Sequence, residues 1–166
     1  GEPIYNEKLG ATVTGARFFL VAYNVNLKTT DENISKEIAE TIRESGKLKR
    51  NPDGSVVKVD GKSVRVPGIF KNVKAMGVTL EKYGITQVSI NLTNYTVTNM
   101  HQVYEEVKRQ AEEMGTEVMG SEIVGLVPLD AIVQSGRYFL GSADASEEKA
   151  VESAISSLGL NALAPF

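Results

Sequence analysis

Two stretches of this chain alternate between apolar and amide or hydroxyl side chains, the N-terminal one after a start that is apolar on both faces. Between residues 87 and 93 (QVSINLT), Val88 and Ile90 fall on one side with Leu92, and Gln87, Ser89, Asn91 and Thr93 on the other. Residues 19–26 (FLVAYNVN) repeat the pattern: Phe19, Val21, Tyr23 and Val25 share a side, and Ala22, Asn24 and Asn26 the opposite one. Side chains alternate across a strand, so this period of two describes a strand with one apolar and one polar face. Only a sheet covered on one side satisfies both stretches together. The apolar faces then lie under helices, and the polar faces meet on the uncovered side.

The rest of the chain supplies the helices and the partner strands. A central strand is expected over residues 16–27, followed by a helix capped by Thr30 or Asp31. That helix carries Ile34, Ile38, Ala39 and Ile42 on one side and ends at Gly46. Residues 47–68 break the pattern. There VVKV and KSVRV flank Asp60-Gly61, a two-residue hairpin turn, which predicts a protruding arm with an insertion over about residues 51–66. A second strand is expected over residues 72–81 and a third over residues 85–91. A helix over residues 99–114 is capped by Thr98 and stopped by Gly115. A fourth strand over residues 116–123 follows, then a short helix with Pro128 in its first turn and a last helix capped by Ser146. The order β-α-β-β-α-β with C-terminal helices predicts an α+β fold of the ferredoxin-like, split βαβ kind. Its sheet is mostly antiparallel, its helices cover one face, and its first and third strands are neighbours.

The polar face is unusual in kind. Solvated faces are usually rich in Lys, Glu and Thr. Asn24, Asn26, Gln87, Ser89 and Asn91 instead present donors and acceptors together without charge. That suits a flat heterocycle with mixed hydrogen-bonding edges, or burial beneath a second sheet, as well as plain solvation. A catalytic constellation is not evident. His101 is the one histidine, near a helix start, where a capping or structural role is the commoner one. Cysteine is absent, and no carboxylate or second histidine stands at metal-ligand spacing from His101, so no metal is expected. GSEIVG (residues 120–125) resembles a glycine-rich loop only loosely. Net charge −3 gives no attraction to nucleic acid or to an acidic membrane, and no apolar run is long enough to span one.

Several runs are similar to the C-terminal subdomain of glutamate formimidoyltransferases, including the bifunctional formimidoyltransferase–cyclodeaminases. They are GATVTGAR (residues 10–17) with FFLVAYNVNL after it, QVSINLTNYTVTNMHQVYEEV (residues 87–107), GSEIVGLVPLDA (residues 120–131) and the ending SSLGLNALAPF (residues 156–166). The resemblance implies transfer of a formimino group from N-formimino-L-glutamate to tetrahydrofolate, the co-substrate, in histidine catabolism in the cytoplasm. It implies two α/β subdomains whose sheets face each other across a folate tunnel, so that the N-terminal subdomain is the expected partner, in the same chain or a separate one. The family's folate segment falls on residues 1–10. Gly1 and Gly10 match it in identity; Pro3, Tyr5 and Lys8 are carried over by position. Thr12, Thr14 and Arg17 continue the entry segment (residues 1–15) into the subdomain proper (residues 16–166). With the amide face, these make up the expected folate contacts. The family's catalytic histidine stands in an HPR stretch of the N-terminal subdomain, and this sequence has none. Since it also starts at Gly1, the expectation is a processed, trimmed or split chain, inactive alone. The alternative is a non-catalytic small-molecule-binding or assembly module of the same fold, self-associating through its open sheet face as a homo-oligomer.

Overall fold

The computed structural model describes residues 7, 8 and 10–162. Its main sheet has four strands: β1 (Val21–Leu27), β6 (Val73–Leu80), β7 (Ile85–Leu92) and β8 (Val118–Ile123), in the order β6-β7-β1-β8. Every neighbouring pair is antiparallel. The first and third strands of this sheet are therefore adjacent at its centre, as the order of elements predicts. The fold is α+β.

The covered face carries helix α1 (Glu32–Ile42) and helix α2 (Met100–Glu113). Val21, Tyr23, Val25, Val88, Ile90 and Leu92 project into a core shared with Ile38, Ile42, Met100, Val103 and Val107. α1 lies so close to β6 that a Cβ on Gly77 would sit 2.5 Å from the Lys36 backbone nitrogen, so only glycine fits there. Helices α3 (Leu129–Leu140) and α4 (Glu147–Leu158) pack on each other at the C-terminal side. The Ser121 hydroxyl of β8 donates to the Leu158 carbonyl oxygen at 2.6 Å, tying the end of α4 to the sheet edge.

The arm forms as two short ladders. β2 (Lys47–Leu48) pairs with β5 (Arg65–Val66), and β3 (Lys58–Val59) pairs with β4 (Lys62–Ser63). Asp60 and Gly61, both with positive φ (49° and 75°), make the expected turn between β3 and β4.

Four expectations need correction. Residues 16–20 are not strand, and Phe19 is half exposed, because the β7 register stops at Val21 opposite Leu92 and offers them no partner. Phe18 leans instead on Tyr95, ring centroids 5.8 Å apart. Helix α2 is capped by Asn99, not Thr98: the Asn99 side chain accepts at the helix start while Gln102 reaches back to the Asn99 N–H, and Thr98 Oγ1 donates to the Lys71 carbonyl. Helix α1 stops at Ile42, where Arg43 turns extended, three residues before Gly46. Pro128 precedes α3 as its N-cap, and that helix runs twelve residues.

Candidate functional site

The face of the sheet turned away from α1 and α2 is built from side chains whose partners in register point the same way. Asn24 of β1 lies opposite Ser89 of β7, Asn26 opposite Gln87, and Ala22 opposite Asn91. On the other side of β1, Asn24 lies opposite Glu122 of β8 and Asn26 opposite Gly120. On the far side of β7, Lys74, Met76 and Val78 of β6 lie opposite Asn91, Ser89 and Gln87. All five amide and hydroxyl residues singled out from the sequence therefore share one face, and Glu122 joins them.

This face is graded in depth. Asn26 and Gln87 are buried, Asn24, Ser89 and Glu122 half-buried, and Asn91 exposed. At its floor one amide holds two neighbours: Gln87 Nε2 donates to Asn26 Oδ1 at 2.7 Å and to Glu122 Oε1 at 2.5 Å. A carboxylate only accepts, so Glu122 fixes which end of the Gln87 amide faces it. The second hydrogen of the same nitrogen then requires the oxygen of Asn26, and Asn26 Nδ2 is left buried without a hydrogen-bond partner. The Gln87 carbonyl, turned the other way, and the second Glu122 oxygen are likewise unspent among the described residues. Toward β6 the face opens into a shallow depression lined by Lys74, Met76, Ser89 and Asn91. A different hollow lies between α1 and the arm, where Lys47 bonds Glu37.

The entry segment is less informative. Gly1, Pro3 and Tyr5 lie outside the described residues. Lys8 and Gly10 are exposed, and Gly10 has positive φ (68°). Thr12 and Thr14 are exposed and make no side-chain hydrogen bond among the described residues; Arg17 donates to the neighbouring Phe18 carbonyl at 3.3 Å. Among the described residues, no side-chain hydrogen bond joins Thr12, Thr14 or Arg17 to the amide face.

His101 belongs to the covered side. Its ring stacks on Tyr138 with centroids 4.5 Å apart, and Nδ1 lies 3.3 Å from Ser135 Oγ. Burial lowers its pKa. It seals the seam between α2 and α3 and does not touch the amide face. GSEIVG is not a ligand loop: Gly120 to Ile123 are strand, and Gly120 (φ 134°) lies at the bulge in the β1–β8 pairing, with the backbone of Gly159 against it. Its glutamate was the one residue of the cluster that sequence reasoning passed over, although its place between inward Ser121 and Ile123 marks it as outward. No group of metal-ligating side chains occurs among the described residues. No helix among them is long and apolar enough to cross a membrane.

Residues 22–166 match the model of the formiminotransferase domain family. The chain is 39% identical over 160 residues to the formimidoyltransferase-cyclodeaminase of Rattus norvegicus, covering 95% of this chain and 27% of that one. It is 40% identical over 169 residues to the protein of that name from Gallus gallus, covering 100% and 28%. Over 142 residues it is 35% identical to the glutamate formimidoyltransferase of Streptococcus pyogenes serotype M1, covering 86% and 40%. The chain thus spans well under half the length of these relatives.

Proposed function

Since the chain belongs to the formiminotransferase domain family, we propose that it is the folate-holding half of a transferase that moves a formimino group from N-formimino-L-glutamate to tetrahydrofolate. The observation that carries this reading is the amide face. Two central strands and one edge strand gather Asn24, Asn26, Gln87, Ser89, Asn91 and Glu122 on one surface, with acceptors and a donor left unspent. A solvated sheet has no need of such a set; a planar heterocycle with donors and acceptors on its rim matches it.

The partner is the N-terminal subdomain, whose sheet would close over this face and turn it into one wall of a channel. Apolar side chains at its margin support that arrangement: Met76 on β6 is 60% exposed, and Leu126, just beyond β8, is 87% exposed. The entry residues Gly1, Pro3, Tyr5, Lys8, Gly10, Thr12, Thr14 and Arg17 would line the mouth of the channel, with Tyr5 stacking on the aminobenzoyl ring and Lys8 meeting the glutamate tail. The reaction takes place in the cytoplasm, in histidine catabolism.

Chemically, N5 of tetrahydrofolate is the nucleophile and the formimino carbon the electrophile; the new N5–carbon bond replaces the carbon's bond to the glutamate nitrogen, which takes up the proton lost from N5 and leaves as the amine of glutamate. The general acid–base group is the family's histidine in the partner half. This chain contributes position: the amides fix the plane and rotation of the ring so that N5 meets the second substrate. Orientation of that kind can lower a barrier by as much as about 7–11 kcal/mol. His101 takes no part, because its ring is engaged between α2 and α3.

Two measurements test the reading. Folinate, a stable tetrahydrofolate analogue, raises the melting temperature of the chain, because a ligand that binds only the folded state stabilises it. The purified chain alone shows no formimino transfer, and the partner half restores it. Absence of any folinate-induced shift together with a stable dimer closed through the sheet face would reject the proposal in favour of an assembly module.

A further inference from the structure

We infer that Glu122 is the specificity-determining carboxylate of this site, reading the 2-amino and N3–H donor edge of the pterin ring. The inference rests on the folate reading above and assigns one residue to one edge of the ligand. Three observations lead to it.

The first is the direction of the hydrogen bonds. Glu122 accepts from Gln87 Nε2 through one oxygen, and the other oxygen has no partner among the described residues. The same bond turns the Gln87 carbonyl outward as a second acceptor. The centre of the platform is thus acceptor-rich. A neutral or anionic ligand rim made of acceptors would be repelled; a rim with two adjacent N–H donors is attracted. The amidine-like edge of a 2-amino-4-oxopteridine has that form, with the 2-amino group and N3–H side by side.

The second is the depth gradient. Glu122 is half-buried and stands beside the buried Asn26–Gln87 floor. Its charge is accessible from the open face and shielded from the covered one. A hydrogen bond to a charged acceptor at a half-dry site is about twice as strong as a neutral one, so this contact outweighs any single amide on the platform.

The third is the orphan donor. Asn26 Nδ2 is buried with no partner, in the same cluster. The polar groups here are not closed upon themselves, as they would be in a purely structural network. A ligand edge that sets a carbonyl oxygen next to the N–H pair, as O4 stands next to N3–H, offers the complementary sequence of groups.

The test compares two ligands on one protein: folinate and its analogue in which the 2-amino group is replaced by methyl. On the unmutated full chain folinate binds the more tightly, by about 10- to 100-fold, the usual worth of a hydrogen bond to a charged group. Glu122→Gln keeps an oxygen for Gln87 but presents an amide N–H to the ligand. It therefore weakens folinate by a comparable factor and the analogue, which keeps only N3–H, by less, so that discrimination disappears. Because both ligands are measured on the same sample, partial misfolding cancels from the ratio; Glu122→Ala, which frees Gln87 as well, loses the discrimination too. If folinate binds and the ratio survives in both variants, the assignment of Glu122 is overturned while the folate reading stands. If folinate does not bind the unmutated protein at all, both are overturned.

Discussion

β1 and β7 have two sides, and the two are made for opposite purposes. On one side Val21, Val25, Val88 and Leu92 are fully buried against α1 and α2, an aliphatic surface interrupted only by the buried Tyr23 hydroxyl and Thr86 Oγ1, which have no hydrogen-bond partner among the described residues. On the other, across the same backbone, Asn24, Asn26, Gln87 and Ser89 meet in register and leave hydrogen-bonding groups unspent. Stability is drawn from the first side and, under the proposed function, recognition from the second. A backbone shared by both holds the recognising groups at the spacing of the sheet, which no loop could do as rigidly. The comparison predicts that substitutions separate cleanly: covered-side changes alter folding, and open-side changes alter ligand affinity.

The sharpest way to break that separation is Ile90→Ala. Ile90 is 1% exposed in the centre of the covered side, and the cavity should cost about 2–5 kcal/mol of stability. Chemical denaturation measures the cost. The fraction that remains folded should bind folinate as before, and a matching loss of affinity would show that the two sides are not independent.

Gly77→Ala acts on the same side by intrusion. The new methyl group would stand 2.5 Å from Lys36 N and 2.7 Å from the Ser35 carbonyl carbon, all backbone, so α1 must retreat from β6. Overpacking of this kind costs about 1–3 kcal/mol. A melting temperature equal to that of the unmutated chain would mean that α1 is not seated on β6 as described.

Gln87→Ala is the open-side counterpart. It removes the amide that bridges Asn26 and Glu122. Two bonds are lost and the buried Asn26 oxygen is left unpaired, so stability should fall by about 1–3 kcal/mol, and the folinate affinity of the folded protein should fall by more than tenfold. Undiminished folinate affinity would collapse the distinction between the two sides.

Much of this division could be read from the sequence, for a physical reason. A period of two is visible in any strand whose sides differ in chemistry, and residues 87–92 and 21–26 differ sharply. The gathering of Asn24, Asn26, Gln87, Ser89 and Asn91 on one face followed from that pattern and from the order of elements; their register, Asn24 opposite Ser89, comes from the structure. Where pattern and partner part company, reading failed. Phe18 and Phe19 have strand-like composition, but β7 ends before it can pair with them, and a sequence does not state where its partner stops. Thr98 and Asn99 are both capping residues; only Gln102, three residues beyond Asn99, tells which one is used. Glu122 fell inside the strand expected over residues 116–123, but that strand shows no strict alternation of apolar and polar residues to mark its open side, and Gly120 serves the bulge and close packing there. The entry residues were assigned by resemblance alone, and Thr12, Thr14 and Arg17 make no side-chain hydrogen bond to the platform among the described residues.

The α2 cap gives a smaller effect on the covered side. Asn99 caps the helix and also donates to the Ala131 carbonyl at 3.0 Å, linking α2 to α3. Asn99→Ala should lower stability by about 1–2 kcal/mol, seen as a lower denaturation midpoint with folinate affinity intact.

The smallest effect concerns the same seam. His101 is held on Tyr138 and beside Ser135, and burial depresses its pKa. The unfolded chain therefore takes up the proton at a higher pH than the folded one. Its contribution to stability is complete above the ordinary histidine pKa of about 6.5, falls as pH drops below that value, and levels off beneath the folded pKa. His101→Gln should remove this component, so the gap in melting temperature between the two proteins should narrow on acidification from neutral pH. Formimino transfer by the assembled halves, assayed near neutrality, should not change with that substitution. A large loss of transfer at undiminished stability would move His101 from the covered side into the chemistry, and the division between the two sides would no longer hold.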